Sequence, residues 1–272
     1  MNAGMTYRLG RVFGPDQRAM VLPVDHGLML GRVAGLEEPS SLVAAAAEAG
    51  CDGLLMSAGL ARATAGIFAT RPAPARLLTL DTTLRDGDDD PGEATLVASV
   101  EQAVRFGADA VKILMPWDTP SAARTATCRR IAVVIREAER WQMPVMVEPI
   151  ALSTPRGETA VAMELHGART AMELGADIIK IAYPGSAQIM ASLTRELGLP
   201  VVILGGPKSS AAADVIRLVD EAMTAGASGI VIGRQVWQRE PAERLALMRV
   251  LVDVVHGRLT ADAAVRQLAS VA

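Results

Sequence analysis

Four side chains in this sequence have the type and setting that covalent carbonyl chemistry requires. Lys180 sits inside "LGADIIKIAYPG" (174–185), with Ile178 and Ile179 before it and Ile181 and Ala182 after. An amine in so apolar a run is costly unless it is paired or neutral. Lys112 holds the equivalent place in "ADAVKI" (108–113), Glu148 interrupts "VMVEPI" (145–150), and Asp25 ends "RAMVLPVDHG" (18–27) together with His26. A neutral lysine in a dry pocket adds to a ketone or aldehyde to form a Schiff base. Desolvation and a second cation such as Lys112 would both depress the pKa of Lys180. A buried carboxylate at Glu148 can shuttle protons if burial raises its pKa.

Each of these residues also has a plainer reading. Lys180 could be structural, paired with an acid such as Asp25. Glu148 could form an ion pair with Lys112 on the adjacent strand, which is compatible with proton transfer. Asp25 could be a helix N-cap or turn residue. Pattern alone allows either lysine to be the nucleophile.

Two glycine turns form a second constellation. "LGGPKSS" (204–210) brings Gly205, Gly206 and Lys208, with Ser209 and Ser210 as further donors, and "IGRQVWQ" (232–238) brings Gly233 and Arg234. Glycine lets a backbone approach an anion closely, and neighbouring cations complete a phosphate site. The alternative is a pair of ordinary tight turns. Metal chemistry is less well provided for. Histidine-ligated centres draw two or three histidines, and the chain has 3: His26, His166 and His256. The last two fall on expected helices, which argues against a histidine-based metal centre, while a magnesium site built only from carboxylates and phosphate stays open; the expectation is no metal and no cofactor. Dinucleotide-type glycine fingerprints and P-loops are absent. Cys51 and Cys128 have no histidine near them in the expected layout, which argues against a thiol nucleophile.

The elements that must position these residues repeat. "AGCDGLLM" (49–56), "FGADAVKI" (106–113), "LGADIIKI" (174–181) and "AGASGIVI" (225–232) each read as a helix end, a glycine C-cap, a short loop and a buried strand. "RAMVLPVDHG" (18–27), "ARLLTLD" (75–81), "MPVMVEPI" (143–150) and "LPVVILGG" (199–206) supply the remaining strand candidates. Strands alternating with helices imply a parallel sheet, and this number of units predicts a (β/α)8 TIM barrel over residues 1–272 as a single domain. A short N-terminal segment precedes it, and residues 241–270 read as the last helix and a C-terminal helical extension. A doubly wound open sheet is the alternative. The acidic run "RDGDDDPGE" (85–93) falls in the loop after the third strand and reads as a solvated surface, with a metal site as the alternative.

In such barrels the chemistry sits at the C-terminal strand ends. Ser57, Asp81, Trp117, Thr154, Arg156 and Tyr183 fall where they could line a substrate pocket. Arg156 is singled out because a guanidinium on the fifth-strand loop could grip a second anion; an exposed loop arginine is the alternative.

Composition narrows the partners. The formal charge of −3 and the absence of a basic patch with interleaved aromatics argue against nucleic acid. Charges or glycines break every apolar run before membrane-spanning length, so no membrane association is expected. No apolar core of a signal peptide stands near the N-terminus, and 2 cysteines are too few for a disulfide framework. The expectation is a cytoplasmic protein acting on a small molecule. Half of its residues are hydrophobic, which suggests a homo-oligomer that covers the excess.

"PVDHG" on the first strand, "GADIIKIAYPG" on the sixth, "ILGGPKSS" on the seventh and "GASGIVIGRQVWQ" on the eighth resemble the class I aldolases of the DeoC/FbaB group. That group includes archaeal-type fructose-bisphosphate aldolases, aminodideoxyheptulosonate synthases and the autoinducer-2 thiolase. The resemblance runs over nearly the whole chain and is densest after residue 174. It implies a metal-free lyase in which Lys180 matches the Schiff-base lysine and Asp25 the aspartate beside it. Gly205, Gly206, Lys208, Gly233 and Arg234 match its phosphate site. The archaeal-type members carry a tyrosine on the fifth strand as proton donor, whereas this chain has "VEPI" there. In that respect it is similar to tagatose-bisphosphate and sulfofructose-phosphate aldolases, and Glu148 and Lys112 match their proton-transfer pair. The implied activity is cleavage or formation of a phosphorylated ketose, with dihydroxyacetone phosphate as one product. The alternatives are a thiolase, acyl transferase or transaldolase-type enzyme using the same lysine, a phosphate-binding isomerase or synthase whose lysine never becomes covalent, and a non-catalytic sugar-phosphate-binding barrel.

Overall fold

A computed structural model describes residues 3–83, 94–206 and 211–270. The strands are β1 (Ala19–Pro23), β2 (Gly53–Met56), β3 (Ala75–Thr79), β4 (Asp81–Thr83), β5 (Ala94–Leu96), β6 (Ala110–Pro116), β7 (Val145–Ile150), β8 (Ile178–Ala182), β9 (Val201–Leu204) and β10 (Gly229–Val231). Eight of them close a barrel in the order β1-β10-β9-β8-β7-β6-β3-β2. Their neighbours pair in parallel throughout, with helices in every crossover. The fold is a (β/α)8 barrel, and each of the strand candidates from the sequence supplies one stave.

The recurring phrase has a double structural meaning. Its glycines, Gly50, Gly107, Gly175 and Gly226, all take positive φ, between 67° and 101°, so the chain leaves each helix through the left-handed region. Its aspartates then lock neighbouring strands at the N-terminal end of the barrel. Asp52 accepts from the Met20 backbone N–H at 2.7 Å, Asp109 from Arg76 at 3.0 Å and Asp177 from Val145 at 2.9 Å. These donors stand at the strand starts, where the barrel ladder is only beginning, and a buried unpaired N–H would be costly there.

Side chains alternate along each strand. The inward positions start apolar, with Ala19, Val21, Leu55, Leu77, Ala110, Met146, Ile178 and Val202 packed together. Phe13, at the end of the helix Ala3–Phe13, joins this cluster and closes the barrel's lower end with 2% of its surface exposed. The N-terminal segment is therefore a plug helix. The outward positions pack against the helices in a separate and larger core.

The structure adds one element that periodicity did not signal. β4 and β5 form a two-stranded antiparallel sheet beside the barrel mouth, pairing Asp81 with Leu96 and Thr83 with Ala94. Three-residue strands are too short to show a period. The acidic run 85–93 lies between them, outside the described residues. The helices Pro241–Val255 and Ala261–Ala269 occupy the expected C-terminal region. Among the described residues no helix is long and apolar enough to cross a membrane.

Candidate active site

Above the apolar layer the inward positions turn polar. β6 runs Ala110, Lys112, Leu114 inward, β7 runs Met146, Glu148, Ile150, and β8 runs Ile178, Lys180. Met146 pairs with Ile178, which sets Glu148 and Lys180 at one level, while Lys112 pairs with Met146 and starts one inward position lower. Strand register thus delivers three charges to one point. Lys180 Nζ lies 2.8 Å from Glu148 Oε1, and Lys112 Nζ lies 2.7 Å from Glu148 Oε2. All three residues are buried, at 4–7% exposure.

The sequence reading offered Lys180 as paired with Asp25 or depressed by a nearby Lys112, and Glu148 as the ion-pair partner of Lys112. The Glu148–Lys112 pair is present, and the same carboxylate also holds Lys180, so Glu148 stands between the two amines. The expectation that burial raises the Glu148 pKa is reversed. Burial does push it up, but Lys112 and Lys180 outweigh that and bring it down to about 2. Burial pulls Lys112 down, and Glu148, Asp81 and Asp25 more than restore it, leaving its pKa raised.

Asp25 follows β1 and enters the pocket from the opposite wall. Its Oδ2 accepts from Thr79 Oγ1 at 2.6 Å, and His26 Nδ1 stands 3.4 Å from Oδ1. Burial would raise the Asp25 pKa, yet His26, Lys112 and Lys180 together hold it far below the carboxylate range. The Asp25 carbonyl also accepts from the Leu28 N–H, so the residue both makes a turn and faces the pocket. His26 is fixed from behind by the edge of Trp237, whose indole N–H donates to the Pro23 carbonyl at 3.1 Å.

The residues Pro23, Asp25, Thr79, Lys112, Glu148 and Lys180 line a pocket of about 110 Å³ at the C-terminal end of the barrel. Gly205, Gly206, Gly233 and Arg234 line its β9–β10 side. Gly206 takes φ +63°, and a Cβ on Gly233 would come within 2.8 Å of the Trp237 indole nitrogen. Arg234 Nε is buried without a hydrogen-bond partner among the described residues. Lys208, Ser209 and Ser210 lie outside the described residues. No group of three or more His, Cys, Asp or Glu placed to hold a metal ion occurs among the described residues.

Other expected lining residues are directed elsewhere. Arg156 does not line the pocket: its guanidinium holds Glu164 at 2.6 Å and the Tyr183 carbonyl at 2.9 Å. The Tyr183 hydroxyl donates to Glu221 at 2.6 Å. Ser57 caps the helix Ala58–Ala63 by accepting from the Leu60 N–H. Trp117 packs edge-on against His166 behind the barrel wall, and Thr154 donates its backbone N–H to Asp118. Asp81 does line the pocket, at 1% exposure. It accepts from the Leu114 N–H and from Arg130, which reaches in from the helix Ser121–Trp141.

Sequence reasoning missed Thr79, Arg130 and Trp237. An acid ending an apolar run, as Asp81 does, demands a cation, but spacing could not say that it lies 49 positions away.

Comparisons with known proteins agree with this fold. The DeoC/LacD family aldolase profile matches residues 19–239. The chain is 33% identical over 270 residues to the class 1 fructose-bisphosphate aldolase of Thermoproteus tenax, covering 94% of this chain and 96% of the relative. It is 31% identical to the 2-amino-4,5-dihydroxy-6-oxo-7-(phosphonooxy)heptanoate synthase of Streptomyces griseus, covering 94% and 92%. An archaeal fructose-1,6-bisphosphate aldolase solved with its catalytic lysine bound to the carbinolamine intermediate superposes with a TM-score of 0.78. That structure is 30% identical, with 93% of this chain and 100% of the other covered. This chain belongs to the DeoC/LacD family of aldolases, lyases of the Schiff-base class.

Proposed function

We propose that the protein cleaves or forms a phosphorylated ketose, with dihydroxyacetone phosphate as one product, and that Lys180 is its Schiff-base nucleophile. The observation that carries this reading is the Lys180–Glu148–Lys112 array, which faces the glycine-lined wall and Arg234 across one pocket. Lys180 Nζ attacks the ketone carbon, and Glu148 is within reach to take the proton the amine must shed. Glu148 returns that proton to the carbinolamine hydroxyl, which leaves as water to give an iminium, and Glu148 is again a carboxylate. Glu148 then accepts the proton of the C4 hydroxyl as the C3–C4 bond breaks. The bonding pair flows into the iminium, leaving an enamine and a free aldehyde. Return of a proton to C3 and hydrolysis of the imine regenerate Lys180 and release the phosphorylated ketone.

Glu148 can take this role because its oxygens stand at hydrogen-bond distance from Lys180 and Lys112, which also keep it ionised. Lys112 holds the second carboxylate oxygen and fixes its aim. Asp25, anchored by Thr79, lies where it can orient the carbinolamine hydroxyl and balance the iminium charge. Gly205, Gly206, Gly233 and Arg234 serve as the phosphate anchor, with Lys208 and His26 as further substrate contacts. Holding the phosphate positions the carbonyl against the amine. The Streptomyces griseus relative, named a synthase, supports a second reading in which the chain works in the condensing direction with another donor.

The test is borohydride reduction with dihydroxyacetone phosphate and, separately, with unphosphorylated dihydroxyacetone, followed by peptide mass spectrometry. A Lys180 adduct formed at far lower concentration of the phosphorylated donor is expected. Equal trapping of both donors would remove the phosphate anchor, and trapping of neither would remove the donor assignment.

A further inference from the structure

A cleft of about 610 Å³ lies at the other end of the barrel, between the plug helix, the helices Ala58–Ala63 and Ala65–Phe68, and the helix Val100–Arg105. It is larger than the pocket that holds the lysines, but none of the Schiff-base machinery reaches it. Its lining is unusual for an acidic chain: Arg8, Arg11, Arg62, Arg76 and Arg105 face it, with Asp109 as the only acid in the lining. The protein as a whole carries −3, so this concentration of positive charge is local.

The floor of the cleft is Arg76, an outward-facing residue of β3 that is only 7% exposed. Its guanidinium lies 4.0 Å over the ring of Phe68 and donates from one terminal nitrogen to the Phe106 carbonyl. Its Nε–H meets no acceptor among the described residues. Asp109, the acid nearest to it, is already engaged. One oxygen accepts from the Arg76 backbone N–H and the other from Arg11 Nε at 2.8 Å. Arg105 is paired with Glu101. Arg62 lies 5.8 Å over Phe106, and Arg8 makes a 3.4 Å bond to the Gln142 carbonyl. Among the described residues no carboxylate stands within ion-pair distance of Arg8, Arg62 or Arg76. A buried guanidinium with unused donors carries an uncompensated desolvation cost that an anion would offset.

We propose that this cleft is a second anion site, separate from the active site, and that it takes a small polyanion of the diphosphate class. Guanidinium forks pair with phosphate oxygens two at a time, which lysines do not. All the cations of the lining are arginines, and the excess positive charge matches a ligand with several negative charges better than a monoanion. The apolar walls formed by Ala61, Ala65 and Phe68 leave room for an organic group attached to the phosphates.

Inorganic pyrophosphate is the probe, titrated calorimetrically at fixed ionic strength into the full chain, the Arg8→Gln/Arg62→Gln double variant and the Arg234→Gln variant. The double variant should lose one class of pyrophosphate site, weakened by at least about tenfold, while borohydride trapping at Lys180 stays unchanged. The Arg234→Gln variant should keep that class. Arg76→Leu should remove it as well, and if that variant does not fold, the Arg8/Arg62 pair decides. Binding in the double variant equal to that of the unmodified chain, or complete loss of binding in Arg234→Gln, would overturn the proposal. So would sulfate competing as well as pyrophosphate, which would mark a general charge effect.

Discussion

Lys180 Nζ and Glu148 Oε1 stand 2.8 Å apart on neighbouring strands, with both side chains buried. One carboxylate thus holds the amine at rest and lines the same pocket. If Glu148 moves the C4 proton, Glu148→Gln should slow turnover by about 10²–10⁴ while imine formation persists in part. Single-turnover cleavage compared with borohydride trapping separates these steps. Parallel loss of both would reduce Glu148 to a structural counter-ion.

Arg130 neutralises Asp81 at the pocket floor, where Asp81 also accepts from the Leu114 N–H. Burial already pushes the Asp81 pKa up against the pull of Lys112 and Arg130. Arg130→Met removes one of those cations and leaves a carboxylate at 1% exposure. It should cost about 3 kcal/mol, the low end for breaking a buried pair because Lys112 remains nearby. Urea denaturation measures this directly, and a change under 1 kcal/mol would show that Lys112 suffices.

Phe13 closes the lower end of the barrel against Val21, Leu77 and Val202. Phe13→Ala should destabilise the chain by about 3–5 kcal/mol, with little effect on trapping at Lys180 because the apolar layer separates the two. Chemical denaturation and a trapping assay on the same variant test both halves.

His256 bridges Asp16 at 2.5 Å and Asp52 at 3.0 Å. The Asp52 hydrogen bond raises its pKa above the ordinary 6.5, against partial burial and with help from Asp16. A folded-state pKa above the unfolded one gives stability that is fully present below the unfolded value and is lost as pH rises through the folded value. The melting-temperature gap between the unmodified chain and His256→Gln should therefore be widest below about pH 6.5 and shrink above it. A gap that widens with rising pH would contradict the assignment.

The barrel was legible because its signal is local: each stave is an apolar run, and four of them follow a helix that ends in glycine. Lys112, Glu148 and Lys180 were legible for the same reason, since a charge inside such a run stands out. The Glu148–Lys112 pair was also readable as a contact between adjacent strands; that Glu148 holds Lys180 as well was not, because it depends on the register of β7 against β8. Arg156 was misjudged because a loop position says nothing about what a long side chain reaches, here Glu164 eight residues on. The β4–β5 hairpin escaped notice because three residues cannot display a period, and the plug role of Phe13 because an end segment carries no sign of what it enters. The aspartates of the repeated phrase were visible as a pattern, but only the structure gives their purpose as latches on the preceding strand.

Intact mass after borohydride reduction with dihydroxyacetone phosphate, on the unmodified chain and on Lys180→Met and Lys112→Met, tests the central claim most directly. One donor-sized adduct per chain is expected in the unmodified protein and in Lys112→Met, and none in Lys180→Met. An adduct that survives in Lys180→Met and disappears in Lys112→Met would move the nucleophile to β6 and contradict the mechanism.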